Sequence, residues 1–315
     1  MSRAVHGQRL FGKVEKEVLR KQLWQIAEFC GVQILTYSIL SNHFHLLVFV
    51  PQSTSVDDAG LLRRHAVLYP GKTRYELSQR ASVRRQLEGG GPGAAACRRR
   101  LLALMGDISQ FMKLLKQRFT RWFNQHHGLF GTLWAERFRS ILVEPKDHAA
   151  RSSAAYIDLN PVRAGLVVDP VDYRFCGYAE AVAGHLPAQQ GLMAAMGIAS
   201  WPEAQAGYRQ VLFGLGSSPG ESGAFLSTEA LQKVLREGGT LPLASLLRCR
   251  ARYFTDGAIL GTLAFVQSHL PLYRTLTGLQ RIAPRPLPHL AGAGELAVVK
   301  RLRAPILTQP ASDLT

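Results

Sequence analysis

Asn42-His43-Phe44-His45-Leu46-Leu47-Val48-Phe49-Val50 places two imidazoles two residues apart inside an apolar run of β-branched and aromatic residues. Such a run favours a strand. On a strand, positions i and i+2 point to one face, so His43 and His45 stand side by side, as a metal pair requires. The stretch alone leaves two readings open: a metal-binding pair, or a strand edge that happens to carry two histidines. His43, His45, Leu47 and Phe49 share one face. Phe44, Leu46, Val48 and Val50 share the other, and this all-apolar face is the one expected to rest on helices.

Working outward, Val18, Leu19, Leu23, Ile26, Ala27 and Cys30 recur at helical spacing, so residues 14–30 read as a helix with Gly31 as its stop. Val32 to Ile39 reads as a strand, and Ser41-Asn42 supplies turn chemistry. The two strands are expected to pair as an antiparallel hairpin that ends at Pro51. Residues 52–106 are less regular. They hold Pro70-Gly71, the glycine run Gly89-Gly90-Gly91-Pro92-Gly93 and the cluster Arg98-Arg99-Arg100, and read as a partly mobile insertion with some helix.

Asp107 to Asn124 carries an apolar stripe of Ile108, Phe111, Met112, Leu115, Phe119 and Trp122. Lys113, Lys116, Arg118 and Arg121 lie off it, as a basic face that either follows a phosphate backbone or is simply solvated. His126-His127 reads as a helix end whose neighbouring side chains diverge. Leu133 to Val143 reads as a strand. A further helix opens at Asp147 and runs to about Asn160, where Pro161 stops it. Tyr156 and Asn160 are four apart, so they leave one helix face together. Taken singly, a helical tyrosine reads as packing and a pre-proline asparagine as a cap.

Over the 315 residues, Lys+Arg outnumber Asp+Glu 38 to 22, for a formal charge of +16. A balance this basic favours a polyanionic partner, nucleic acid or an anionic membrane surface. No run of about 18 apolar residues and no signal-peptide core is present, so no membrane association and a cytoplasmic, nucleoid-associated location are expected. Four widely spaced cysteines without a CxxC pair argue against a zinc ribbon or a disulfide framework and fit a reducing compartment.

Three segments together carry a resemblance. Tyr37-Ser-Ile-Leu-Ser-Asn-His-Phe-His-Leu-Leu-Val48, Leu133-Trp-Ala-Glu-Arg-Phe-Arg-Ser140 and Tyr156-Ile-Asp-Leu-Asn-Pro-Val-Arg-Ala-Gly-Leu-Val167 resemble REP-associated tyrosine transposases, which are single-tyrosine HUH (His, hydrophobic, His) enzymes. The resemblance covers roughly residues 2–182 outside the insertion. It implies an α+β fold: a ferredoxin-like antiparallel sheet with packed helices. It implies His43 and His45 as the metal pair, Tyr156 as the nucleophile and Asn160 as a third metal contact, where insertion-sequence relatives carry Gln. The implied cofactor is a divalent ion, Mg²⁺ or Mn²⁺. The implied partner is single-stranded or hairpin DNA, with a homodimer as one expected assembly. Relatives begin with a strand before Ser-Arg, whereas this chain enters that pattern late, so its first strand is expected to be largely missing.

The implied reaction is metal-dependent cleavage and rejoining of single-stranded DNA at hairpin-forming repeats. A phenol is a poor nucleophile near neutral pH, and a bound cation that absorbs charge on the phosphate answers that weakness. Arg137, Arg139, Arg151 and Arg163, with Lys113 and Arg121, are candidate phosphate contacts. The competing readings are an inactive or domesticated hairpin-binding protein of the same ancestry, and an unrelated metallohydrolase, which leaves Tyr156 and Asn160 unexplained. Residues 1–182 are read as the transposase domain, 183–200 as a connector and 201–280 as a mainly helical C-terminal extension with a candidate DNA-binding role. Within the extension a basic segment from Arg250 precedes an apolar helix at 258–266. Residues 281–315 read as an extended tail in which Lys300, Arg301 and Arg303 are candidate DNA contacts.

Overall fold

The hairpin forms where the alternation puts it. A computed structural model of the chain describes residues 1–51, 55–145, 147–213, 241–242, 247, 250–251, 254, 257–279, 281–287, 290–291, 296–300 and 307–308. The protein is α+β and mostly helical, with eleven α-helices, a three-stranded sheet and a four-stranded sheet among the described residues. Residues 1–2, 35–47 and 138–315 group into one unit and residues 3–34 and 48–137 into another.

Strands β1 (Ser2–Arg3), β2 (Gln33–Ile39) and β3 (His43–Phe49) make the first sheet, in the order β1-β3-β2. The first strand is thus two residues long. Its other side is also satisfied. Val5 N donates to Leu133 O, Ala135 N to Arg3 O and Arg139 N to Met1 O, each at 3.0 Å. The Met1 ammonium returns a bond to Arg139 O at 2.9 Å. Residues 133–139 thus run antiparallel beside the first five. The strand expected over Leu133–Val143 is broken: its first part makes these bonds around an Ala4–Trp134 bridge, and only β4 (Leu142–Val143) is regular, in the other sheet.

In the unit of residues 3–34 and 48–137, α1 (Lys13–Cys30) buries Leu19, Leu23, Ile26, Ala27 and Cys30, the stripe read from the sequence. Gly31 ends it at φ 67°, a conformation that costs a residue without Cβ little. The insertion is more ordered than its composition indicated. It forms α2 (Asp58–Leu68), α3 (Arg74–Glu88) and α4 (Gly91–Leu102). Thr73 and Glu76 close a reciprocal capping box on α3. Arg98, one of the Arg98-Arg99-Arg100 cluster, forks onto Asp58 at 2.6 and 2.5 Å. Periodicity missed these helices because each buries only a few apolar residues. Helix α5 (Ile108–His127) buries Phe111, Met112, Leu115, Phe119 and Phe123. It lies antiparallel to α1: Gly106 N bonds Cys30 O at one end, and Glu15 meets His127 at the other.

In the other unit, α6 (Asp147–Asp158) and α7 (Asn160–Arg163) are followed by α8 (Gly177–Val182), α9 (Leu186–Met196) and α10 (Trp201–Phe213). Helix α9 occupies the expected connector and buries Ala188, Leu192, Ala195 and Met196. Among its described residues the C-terminal extension carries strands beside its helices. Strands β5 (Gly257–Thr262), β6 (Arg285–Pro286) and β7 (Leu296–Lys300) join β4 in the order β4-β5-β7-β6, with α11 (Leu263–Thr277) between β5 and β6. Ile259, Val266, Leu270, Ala297 and Val299 are its core. The apolar run at 258–266, expected as one helix, splits because the Thr262 hydroxyl accepts from Phe265 N and starts the helix there. Glu144, next to β4, accepts from Thr262 N at 2.6 Å and from its hydroxyl at 3.2 Å. The expected tail at 281–315 contributes β6 and β7. The side chains of Arg250, Lys300, Arg301 and Arg303 lie outside the described residues. Among the described residues no helix is long and apolar enough to cross a membrane.

Gly177 marks a close approach. A Cβ there would stand 3.0 Å from Thr36 Cα and from Tyr37 N and would overlap the Thr36 hydroxyl. Backbone atoms of a buried strand cannot yield cheaply, so Gly177→Ala should destabilise the chain by about 1–3 kcal/mol, read as a lower midpoint in urea unfolding.

Candidate active site

The hairpin fixes the facing of the histidine pair. Leu40 N donates to His43 O at 2.8 Å, which sets Leu40 opposite His43 at the closed end. Period-two alternation then carries Ser38 and Thr36 along the same face as His43 and His45. The two imidazoles lie 5.1 Å apart, centroid to centroid, edge to face. His43 Nδ1 is 2.6 Å from Asn42 Oδ1, so a turn residue orients that ring. His45 is buried, at 6% exposure. The histidine face is thus covered at His45 and Leu47, while His43 is half-buried and Phe49 exposed.

Asp158, which the sequence reading passed over, joins this face to the tyrosine helix. The Thr36 hydroxyl stands 2.9 Å from both of its carboxylate oxygens. Tyr208 Oη donates to it at 2.6 Å, and Tyr178 N at 3.2 Å. The four residues come from β2, α6, α8 and α10. Asp158 follows Tyr156 by two positions, so the bond to Thr36 holds the last turn of α6 against the strand beside the histidines. Burial raises the Asp158 carboxyl to about 7, against the opposing pull of Tyr208, Thr36, the Tyr178 amide and Cys176. Burial likewise raises the Tyr208 phenol and the Cys176 thiol. Beside them, Tyr37 Oη donates to Glu180 at 2.7 Å.

Tyr156 itself is shut in, at 2% exposure. Its ring stacks on Phe254, with centroids 4.8 Å apart and planes at 23°. The Arg163 guanidinium lies over the ring at 3.9 Å. Arg163 also donates to Tyr156 O and to Leu247 O, each at 2.6 Å. This residue, a candidate phosphate contact from the sequence, is 7% exposed and works inside the protein. Among the described residues the ring partners of Tyr156 are Phe254 and Arg163, and neither histidine is one of them.

Asn160 does the work of a missing amide. Pro161 has no N–H to give to Ile157 O, and Asn160 Nδ2 bonds that carbonyl at 3.0 Å and Tyr156 O at 3.3 Å. Pro161 therefore does not end the helical run; a break at Leu159 separates α6 from α7. With its nitrogen engaged, the Asn160 side chain offers its oxygen as ligand. Two imidazoles and an amide oxygen fit a divalent ion chemically. Ser38 Oγ, buried on the histidine face, has no hydrogen-bond partner among the described residues, so the face keeps a polar atom to offer a bound group.

The basic candidates divide. Arg137, Arg139, Lys113 and Arg121 are exposed. Lys116 caps Glu136 O at 2.7 Å, and Arg118 holds Leu68 O at 2.9 Å, so these two brace their own unit. The sequence reading also missed a cluster that joins Glu15 to His126 and His127, more than a hundred residues along the chain.

A carboxyl whose folded-state pKa is raised stabilises fully below its unfolded value of 3.8 and loses that contribution as pH rises through about 7. Unfolding free energy should thus fall by about 2–3 kcal/mol from this group between about pH 5 and about pH 8. Asp158→Asn, with no proton to lose there, should flatten that part of the profile in urea titrations. Comparison of the chain with protein families, with curated proteins and with solved structures returned no match.

Proposed function

We propose that this chain is a DNA strand transferase of the single-tyrosine type, acting on single-stranded DNA at hairpin-forming repeats. The observation that carries the reading is the Thr36–Asp158 contact, which ties the helix of Tyr156 and Asn160 to the face of His43 and His45. The first sheet supports it. Helix α1 joins β1 to β2, a hairpin joins β2 to β3, and α5 precedes residues 133–139, which lie beside β1. That connectivity, with the strands in the order fourth-first-third-second, supports the reading of a ferredoxin-like sheet.

In the proposed reaction Tyr156 Oη attacks a backbone phosphorus. The Oη–P bond forms and the P–O3′ bond breaks, and the phenol proton passes to the leaving oxygen. The products are a 5′-phosphotyrosyl link and a free 3′-hydroxyl. The reverse attack by a 3′-hydroxyl rejoins strands without an external energy source. A divalent ion such as Mg²⁺ or Mn²⁺, held by His43, His45 and Asn160, supplies charge neutralisation at the phosphate when bound. Asn42 orients His43, and Arg137, Arg139, Lys113 and Arg121 are free of burial and suited to track the backbone. One tyrosine per chain makes one cleavage at a time, so two ends call for two subunits or two successive events.

The burial of Tyr156 favours a second reading, a hairpin-DNA-binding protein of the same ancestry that does not cut. The two readings part in one experiment with labelled hairpin single strands and Mg²⁺ on a denaturing gel. The transferase gives a covalent adduct that vanishes in Tyr156→Phe. An aromatic pair is worth about 0.5–1.5 kcal/mol beyond area burial, so Phe254→Ala should speed adduct formation about two- to tenfold. Binding without adduct in both the unaltered chain and Phe254→Ala sinks the transferase reading and sustains the second. Cleavage that persists in Tyr156→Phe assigns the chemistry to a water nucleophile instead.

A further inference from the structure

Glu15, His126 and His127 belong to the unit of residues 3–34 and 48–137, and their ligand atoms all come within 4.8 Å of one another. Glu15 is buried in the first turn of α1, and the two histidines close α5 on the surface. The antiparallel packing of the two helices brings these ends together.

Neighbouring residues on a helix diverge by about 100°, which ordinarily keeps adjacent histidines from sharing a ligand. Here each imidazole lies against the aromatic ring one turn back. His126 stacks on Trp122 at 5.0 Å and 14°, and His127 leans on Phe123 at 4.4 Å and 40°. The two imidazoles are left 4.9 Å apart at 90°. Gly128 ends the helix in the left-handed conformation, at φ 64°. On the other side, Glu15 Oε1 is 3.0 Å from His127 Nε2. Glu15 Oε2 folds back over Gly12, where a Cβ would stand only 2.8 Å from it.

We propose that Glu15, His126 and His127 form a transition-metal site, with Zn²⁺ the ion of best fit, that clamps the N-terminal end of α1 to the C-terminal end of α5. Two imidazole nitrogens and one carboxylate oxygen are a zinc donor set that leaves a fourth position for water. Nitrogen donors also rank Zn²⁺ above Mn²⁺, and both above the oxygen-seeking Mg²⁺. With bonds of about 2.0–2.1 Å, ligand atoms around a tetrahedral zinc stand about 3.3 Å apart. The present spacing closes to that by small rotations of two exposed rings. A cation at this place also meets the negative end of α5. A plain ion pair explains Glu15 and His127 but gives His126 no part, although it points at the same group. The site stands independently of the reading of Tyr156.

The test uses the full chain stripped by chelator and titrated with Zn²⁺ in a calorimeter, alongside the double variant His43→Ala/His45→Ala and, each made in that double-variant background, His126→Ala and Glu15→Gln. The double variant should still bind one zinc per chain. His126→Ala and Glu15→Gln should each weaken that zinc at least about tenfold, as loss of a ligand does. Co²⁺ in place of zinc should give the visible absorption of a four-coordinate ion, absent in His126→Ala. Saturating zinc should raise the melting temperature by about 3–6 °C in the unaltered chain and not in His126→Ala. His126 is exposed, and its loss leaves the Glu15–His127 pair in place, so the metal-free variant should melt with the metal-free double variant. Failure of the unaltered chain to bind zinc overturns the proposal, as does zinc binding that survives His126→Ala and Glu15→Gln in the double-variant background or that disappears in the double variant itself.

Discussion

The buried carboxylate of Asp158 is the constraint on which the larger unit depends. A carboxylate taken out of water without partners would cost several kcal/mol, and here it gathers donors from three other elements. Each donor has its own backbone constraint. Thr36 sits on a strand buried on both faces, Tyr178 follows the glycine that alone fits against that strand, and Tyr208 is the fully buried phenol of α10. A change in any one of the four must be answered by the rest. The polar cluster thus specifies one arrangement of strand and helices, where apolar contacts alone would tolerate several.

Local rules made part of this legible. The hairpin followed from its β-branched and aromatic runs around Ser41-Asn42, and α1 and α5 from the 3.6-residue period, because each helix buries one face along its length. The insertion did not, because its helices are held by caps and by an Arg98–Asp58 fork, which leave little trace in hydrophobic spacing. The run at 258–266 misled for a different reason. Its apolar residues serve a strand and then a helix, and the change of period is marked only by Thr262. The segment at 133–143 reads as one strand in sequence, yet its two ends hydrogen-bond to different partners.

The candidate site was half legible for a similar reason. Residue type and spacing picked out His43, His45, Tyr156 and Asn160, but not how each is held. Asn160 shows why a site role and a cap role need not compete. Its amide nitrogen replaces the proline's missing donor, and its oxygen is left over. Arg163 was legible as a cation near the tyrosine, but not as a residue whose fork would close on two backbone carbonyls. Asp158 gave no signal of its own, since an acidic residue between Ile157 and Leu159 looks like the exposed side of a helix until the strand opposite it is known.

Phe254 follows Tyr156 by nearly a hundred residues. A ribosome adds about 5–20 residues per second, and domains fold in the order in which they emerge. The nascent chain therefore carries its tyrosine for about 5–20 s before the residue that stacks on it has been made. For that interval each newly made molecule differs from every finished one, and it is still tethered to the site of its own synthesis.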